Sequence, residues 1–159
     1  MNRKRLALMA EMLDEIARGS WRVSRIGFAR QDARIPAFLP DVWITGLNEP
    51  LGSAACAIGY ACLDARFEGL RLDNMEPCTL TPPRPGRFTR RYVRGWDAVC
   101  TYFDLDLETA QSLFGPDGNP ASPGIVRDWV LDLIDRPLAS CRTPAADSAS
   151  PEDPFAKVG

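Results

Sequence analysis

Apolar positions along the first helical stretch fall on one side. Leu6, Met9, Leu13 and Ile16 recur at the spacing of a single helical stripe, and Glu11, Asp14, Glu15 and Arg18 occupy the other side. Gly19 follows, where a helix end favours a left-handed residue. The spacing predicts a core-facing helix over 3–18. A second helix is predicted over 53–66, with Ser53 as its N-cap. Its face is unusually small: Ala54, Ala55, Cys56, Ala57, Gly59 and Ala61, with Ile58, Cys62 and Leu63 as larger members. Such a surface lets other backbone approach closely, so this helix belongs at the centre of the fold. Two short helices follow. Residues 95–104 carry Trp96, Val99, Cys100 and Phe103 on one face. Residues 106–114, capped by Asp106, bury Leu107, Ala110, Leu113 and Phe114 and stop at Gly115-Pro116-Asp117-Gly118. The last helix spans 123–136, opened by Ser122 and Pro123 and ended by Pro137. Its stripe is wide: Ile125, Val126, Trp129, Val130, Leu133 and Ile134.

Between these helices the pattern loosens. In residues 20–50, Trp21, Val23, Ile26 and Phe28 alternate irregularly with Arg22, Arg25, Arg30 and Arg34, and Pro36 and Pro40 break any long element. Val42-Trp43-Ile44 reads as a short strand or extended segment, and Asn48-Glu49-Pro50 as a turn. In residues 67–91, Pro77, Pro82, Pro83 and Pro85 exclude a long helix, whereas Cys78-Thr79-Leu80-Thr81 has strand-like composition. These two segments hold whatever β structure exists, a small two- or three-stranded element. From residue 140 onward Pro, Ala, Ser and Asp dominate, and Phe155 is the sole aromatic. Such a tail buries too little surface to offset its ordering entropy and is expected to be disordered. The expected fold is mainly α: a compact bundle of about five helices forming one domain over 1–139, with a tail at 140–159.

The chain has 159 residues, enough for one domain whose core needs no metal or disulfide. Its formal net charge of −2 commits it to neither nucleic acid nor an anionic membrane. The charge is uneven, however: residues 1–100 carry 15 Lys/Arg against 11 Asp/Glu, and residues 101–159 carry 4 against 10. No stretch reaches the ~18 apolar residues of a membrane span. Acids at Glu11, Asp14 and Glu15 interrupt the apolar run behind the basic start, unlike a secretory signal, so a cytoplasmic protein is expected.

Candidate chemistry is thin. The chain has no histidine, which removes Ser-His-Asp and Cys-His catalysis and His-ligated metals. Its two lysines, Lys4 and Lys157, lie close to the ends. The five cysteines (Cys56, Cys62, Cys78, Cys100 and Cys141) contain no C-x-x-C pair and read as free thiols. Cys56 is the one catalytic candidate, because a thiol in the first turn of a helix can have a lowered pKa; the alternative is a cysteine packed among alanines. Asp104, Asp106 and Glu108 are too irregularly placed for a Ca²⁺ loop, and Asp106 is better used as a cap. The phrase Gly115-Pro116-Asp117-Gly118-Asn119-Pro120 lacks the order of a phosphate loop. Trp21, Trp43, Trp96 and Trp129 read as core anchors. The segment Arg84–Arg94 stands out: Arg84, Arg87, Arg90, Arg91 and Arg94, interleaved with Phe88 and Tyr92 and free of acids. Guanidinium forks and exposed rings suit an acidic protein surface or nucleic acid; the plainer reading is a solvated loop pairing with the acidic C-terminal helices.

Residues 52–61, Gly-Ser-Ala-Ala-Cys-Ala-Ile-Gly-Tyr-Ala, resemble the Cys-Gly-Thr-x-Ala-Cys-Ala-x-Gly-x-Ala element of a group of small uncharacterised bacterial and phage proteins. Tyr102-Phe103-Asp104-Leu105 and Ala110-Gln111-Ser112-Leu113-Phe114-Gly115 are similar to that group's later helix ends. The likeness covers roughly residues 3–118. Leu51 stands where the group has its first Cys, and Tyr60 where it often has His or Trp. The resemblance implies an architecture and an accessory-gene context but no chemistry. Together these features lead to the expectation of a non-enzymatic interaction protein that binds a protein partner through Arg84–Arg94, without cofactor or metal and away from membranes. One version is an inhibitor of host machinery. The alternatives are a nucleic-acid-associated factor using the same arginines and a thiol-dependent enzyme or redox protein built on Cys56.

Overall fold

The computed structural model describes residues 1–25, 35, 37–45, 54–81, 91–116 and 122–136. Within them the chain forms α1 (Arg3–Ala17), β1 (Ala37–Phe38), β2 (Ile44–Thr45), β3 (Ala54–Ala55), α2 (Ala57–Leu63), β4 (Arg71–Asp73), β5 (Glu76–Leu80), β6 (Tyr92–Arg94), α3 (Gly95–Phe103), α4 (Leu107–Phe114) and α5 (Pro123–Asp135). Helices and strands are thus mixed. The single β element expected from residues 20–50 and 67–91 is instead two separate three-stranded sheets, ordered β1-β3-β2 and β4-β5-β6. The expected tail at 140–159 lies outside the described residues.

Every residue of α2 is buried, as its small side chains foreshadow. Gly59 is where close approach is obligatory: a Cβ there would lie 1.7 Å from the Trp43 carbonyl oxygen. The helix is shorter than its composition suggests. Ala54 and Ala55 are a strand, paired in parallel with β1 and antiparallel with β2, with Ala55 opposite both Phe38 and Ile44. Cys56 continues that pairing by donating its backbone N–H to Val42 O at 3.0 Å. Alanine accepts either conformation, so the pairing with residues far upstream decides. Cys56, in extended conformation, becomes the N-cap without a side-chain cap bond; the proposed cap Ser53 lies outside the described residues. At the other end Asp64 is again extended, closing the helix at Leu63 rather than residue 66.

The flanking helices follow their stripes with two corrections. α1 buries Leu6, Met9, Met12 and Leu13 and is followed, after its cap Arg18, by Gly19, whose φ of 68° is left-handed. It packs along α5, where Arg127 donates to Asp14 at 2.8 Å. On α5 only Val126 and Val130 are buried. Ile125 and Trp129, expected in the core, are 43% and 36% exposed, because the Val126/Val130 edge faces the core and the residues preceding each are turned to its flank. Leu107, also expected inside, is half exposed at the first position of α4. There the Asp106 carboxylate caps the helix by accepting from Thr109 N at 2.7 Å. Phe103 anchors α3 against Phe67 and Phe114. Trp21 is buried, and Trp43 and Trp96 pack on each other with ring centroids 4.8 Å apart.

One buried carboxylate ties several of these parts together. Asp64 is 1% exposed. It accepts from Trp21 Nε1 at 3.0 Å, from Arg66 N at 2.9 Å and from Arg66 Nη2 at 2.7 Å. The same guanidinium reaches Glu15 of α1 through two bonds of 2.8 and 2.7 Å. Arg25 Nη2 donates to the carbonyls of Asp64 and Phe67 at 3.0 and 2.9 Å, and Ala65 N donates to Ser24 Oγ. Burial pushes the Asp64 carboxyl up, but the Arg66 and Trp21 hydrogen bonds outweigh it and hold the group below the usual carboxylate range.

Two stability predictions follow from this packing. Gly59→Ala forces the Trp43 carbonyl aside and is expected to cost about 3 kcal/mol, the upper range for overpacking, lowering Tm by roughly 10 °C; thermal denaturation followed by circular dichroism reads it, and an unchanged Tm contradicts the contact. Asp64→Asn is expected to cost about 2 kcal/mol at pH 7, because the bonds from Trp21 and Arg66 lose their charge assistance while Arg66 keeps Glu15. The Asp64 carboxylate has a depressed folded pKa, so its stabilisation is complete above the unfolded value of about 3.9 and fades as pH falls through the folded one. Wild type should therefore lose its advantage over Asp64→Asn below that pH in urea titrations; a pH-independent difference contradicts the assignment.

Candidate functional site

The sheet β4-β5-β6 assembles the part of the arginine-rich candidate that the structure describes. Its first hairpin turns at Asn74 and Met75, whose φ values of 51° and 67° are the left-handed pair of a tight two-residue connection. That turn fixes the register: Arg71 lies opposite Cys78, and Cys78 opposite Arg94. Strand alternation then places Arg71, Asp73, Glu76, Cys78, Leu80, Tyr92 and Arg94 on one face. The opposite face carries Leu72, which packs on the core, with buried Pro77 and Thr79.

The first face is polar and aromatic along its outer strands, with Cys78 buried between Arg71 and Arg94 on the central one. Tyr92 is 53% exposed. The Arg71 guanidinium stands over its ring, 5.6 Å from the centroid, a cation–π arrangement. Arg94 reaches back across the sheet to pair with Asp73. Arg91 is exposed one residue before β6, and its backbone is pinned to Thr81, with Arg91 N donating to Thr81 Oγ1 at 3.0 Å and Thr81 N to Arg91 O at 2.9 Å. The structure thus brings Arg91, Tyr92 and Arg94 to one sheet, and adds Arg71. Arg84, Arg87, Phe88 and Arg90 lie outside the described residues. Arg71 escaped the sequence reading because it is remote from Arg84–Arg94; the Asn74 turn signal, followed through a two-residue hairpin, would have found it.

Cys56 sits at the start of α2, as expected for an activated thiol, but its surroundings act the other way. It is 1% exposed, and its Sγ faces the Trp43 carbonyl oxygen at 3.9 Å. Burial pushes its pKa up to about 11, against the lowering influence of the Gly59 and Ile58 amides. Cys62 is buried and also raised, chiefly by burial. The four thiols among the described residues are all unpaired. The geometry therefore gives thiolate chemistry no support at Cys56.

The remaining candidates have structural uses. Asp104 meets the Met1 amino group at 2.7 Å, and Asp106 is the α4 cap. Among the described residues no group of three or more Cys, Asp or Glu is placed to hold a metal, and no helix is long and apolar enough to cross a membrane. Among the described residues, open clefts include the following. One of 620 Å³ mixes Lys4, Arg5 and Arg66 with Glu11 and Glu68, and one of 470 Å³ lies beside Trp21, Phe38 and Tyr60. The third, of 410 Å³, lies between α4 and α5. None holds the convergent acid, base and nucleophile that a reaction needs.

No protein-family model, curated protein or solved structure matches this chain. Its function is therefore read from its own residues.

Burial of Cys56 has a direct chemical consequence. In native protein at pH 7, Cys56 should remain unmodified by iodoacetamide while unfolded protein is labelled fully, as peptide mass spectrometry will show. Rapid labelling of native Cys56 contradicts the burial and revives the thiol reading.

Proposed function

We propose that this chain is a non-enzymatic interaction protein that docks the Arg71–Tyr92–Arg94 face of its second sheet, with Arg91 beside it, against an acidic surface of a protein partner. The observation that carries the proposal is Tyr92: a large ring left 53% exposed on a hydrogen-bonded sheet, with the Arg71 guanidinium over its face. Tyrosine and arginine are the residues that dominate binding hot spots, since both bury much area and retain polar handles. Strand pairing fixes their backbone, so little ordering entropy opposes binding.

A nucleic-acid partner would use the same arginines. The protein reading is favoured because Asp73 and Glu76 share the face with Arg71 and Arg94, a mixed arrangement that repels a continuous phosphate backbone but suits a protein surface whose acids meet the arginines one by one. The resemblance to small bacterial and phage proteins fits an accessory role of this kind, one version being inhibition of a host machine.

An affinity capture from bacterial lysate tests the proposal, with wild type compared against Arg71→Glu/Arg91→Glu/Arg94→Glu. The expected result is one protein recovered by wild type after nuclease treatment and reduced at least tenfold in the variant. Equal recovery from both contradicts the assignment of the face. Recovery that nuclease abolishes, with a steep salt dependence, replaces the protein partner by nucleic acid.

A further inference from the structure

The acidic end of the chain presents a second surface of opposite character. α4 and α5 leave a groove of 410 Å³ with Leu113 and Leu133 among its apolar residues and Trp129 on its α5 side. Glu108 of α4 and Asp132 of α5 also line it, with Arg136 at the end of α5. Trp129 is 36% exposed, and Ile125, one turn earlier, and Leu107, at the start of α4, are 43% and 51% exposed. These side chains belong to stripes that the sequence pattern assigns to a core, yet they stay partly exposed among the described residues. Asp128 and Asp135 extend the acidic rim along α5, and both are exposed. Among the described residues Asp128 pairs with Arg127, which also holds Asp14.

We infer that the α4–α5 groove is a docking site for a basic amphipathic segment of another protein, with an apolar side chain against Trp129 and Leu133 and Lys or Arg residues meeting Glu108 and Asp132. Charge selects this occupant. A second copy docking through the same face would set Glu108, Asp128, Asp132 and Asp135 against their own counterparts, and like charges brought together across an interface are costly. The chain's own residues 140–159 contain Asp147, Glu152 and Asp153 against Arg142 and Lys157, an excess of acid that disfavours the same rim. A basic segment satisfies both the apolar residues and the rim, and an exposed Trp at the centre of such a groove is a typical anchor position. The site is independent of the arginine-bearing sheet, because α3 packs between that sheet and α4.

The test uses the full chain and a fluorescein-labelled peptide of about sixteen residues with leucines at helical spacing and lysines elsewhere. Its counterpart has every lysine replaced by glutamate. Fluorescence anisotropy should show saturable binding of the lysine peptide, weakening with added salt, and none of the glutamate peptide. Glu108→Lys/Asp132→Lys, both exposed and so expected to fold, should weaken binding at least tenfold, as should Trp129→Ala. Arg71→Gln/Arg94→Gln should leave it within twofold, which separates this site from the sheet face. Equal affinity of the Glu108→Lys/Asp132→Lys variant, equal binding of both peptides, or no saturable binding overturns the inference. Sedimentation velocity showing a dimer of the unliganded chain that this same variant dissociates also overturns it, in favour of a second copy.

Discussion

The Asp64 carboxylate is the constraint on which the surrounding structure depends. A charge in a nearly dry site is tolerable only when it is paired and fully hydrogen-bonded, and Arg66 and Trp21 meet both conditions. Meeting them recruits distant parts of the chain. Trp21 fixes the segment leaving α1, Glu15 fixes Arg66 from α1 itself, and Arg25 closes the turn from Asp64 to Phe67. That turn delivers buried Phe67 and Leu70, and the next residue is Arg71, the first of β4. Core chemistry at the end of α2 therefore sets where a surface arginine emerges.

The same frame explains why two unlike surfaces coexist on a small chain. α3 follows β6 directly and packs on β5, and its far end leads within a few residues into α4. The arginine- and tyrosine-bearing sheet and the acidic, tryptophan-bearing helices thus pack on α3 from different sides. The acidic excess of the C-terminal part emerges along α4 and α5, at Glu108, Asp128, Asp132 and Asp135, whereas the sheet face mixes arginines with acids. Electrostatic complementarity of this kind favours selectivity and fast encounter more than raw affinity.

Much of this was legible in the residues, and what was not has a physical reason. α1 could be read because only one side of it is apolar and that side meets the core. Ser122, Pro123 and Pro137 give α5 nearly its observed bounds, but its wide stripe does not all reach the core. Periodicity reports which residues share a side, and cannot report that Ile125 and Trp129 lack a partner. The start of α2 was misplaced because Ala54 and Ala55 have no strong preference of their own, and their conformation is set by pairing with Phe38 and Ile44. Cys56, expected within the first turn of a helix starting at residue 53, is instead the extended residue before α2, and its sealing under the Trp43 carbonyl is a tertiary fact. The arginine candidate was visible as composition, whereas Arg71 joins it only through hairpin register.

The central claim is that the β4-β5-β6 face recognises carboxylate-rich protein surface. It is tested most directly by titrating isotopically labelled protein with poly-glutamate and following backbone amide and arginine Nε–H resonances by NMR. The account predicts saturable shifts at Arg71, Arg91, Tyr92 and Arg94, with resonances of α1, α2 and α5 unmoved. Shifts centred on another surface, or none beyond those produced by salt alone, would contradict it.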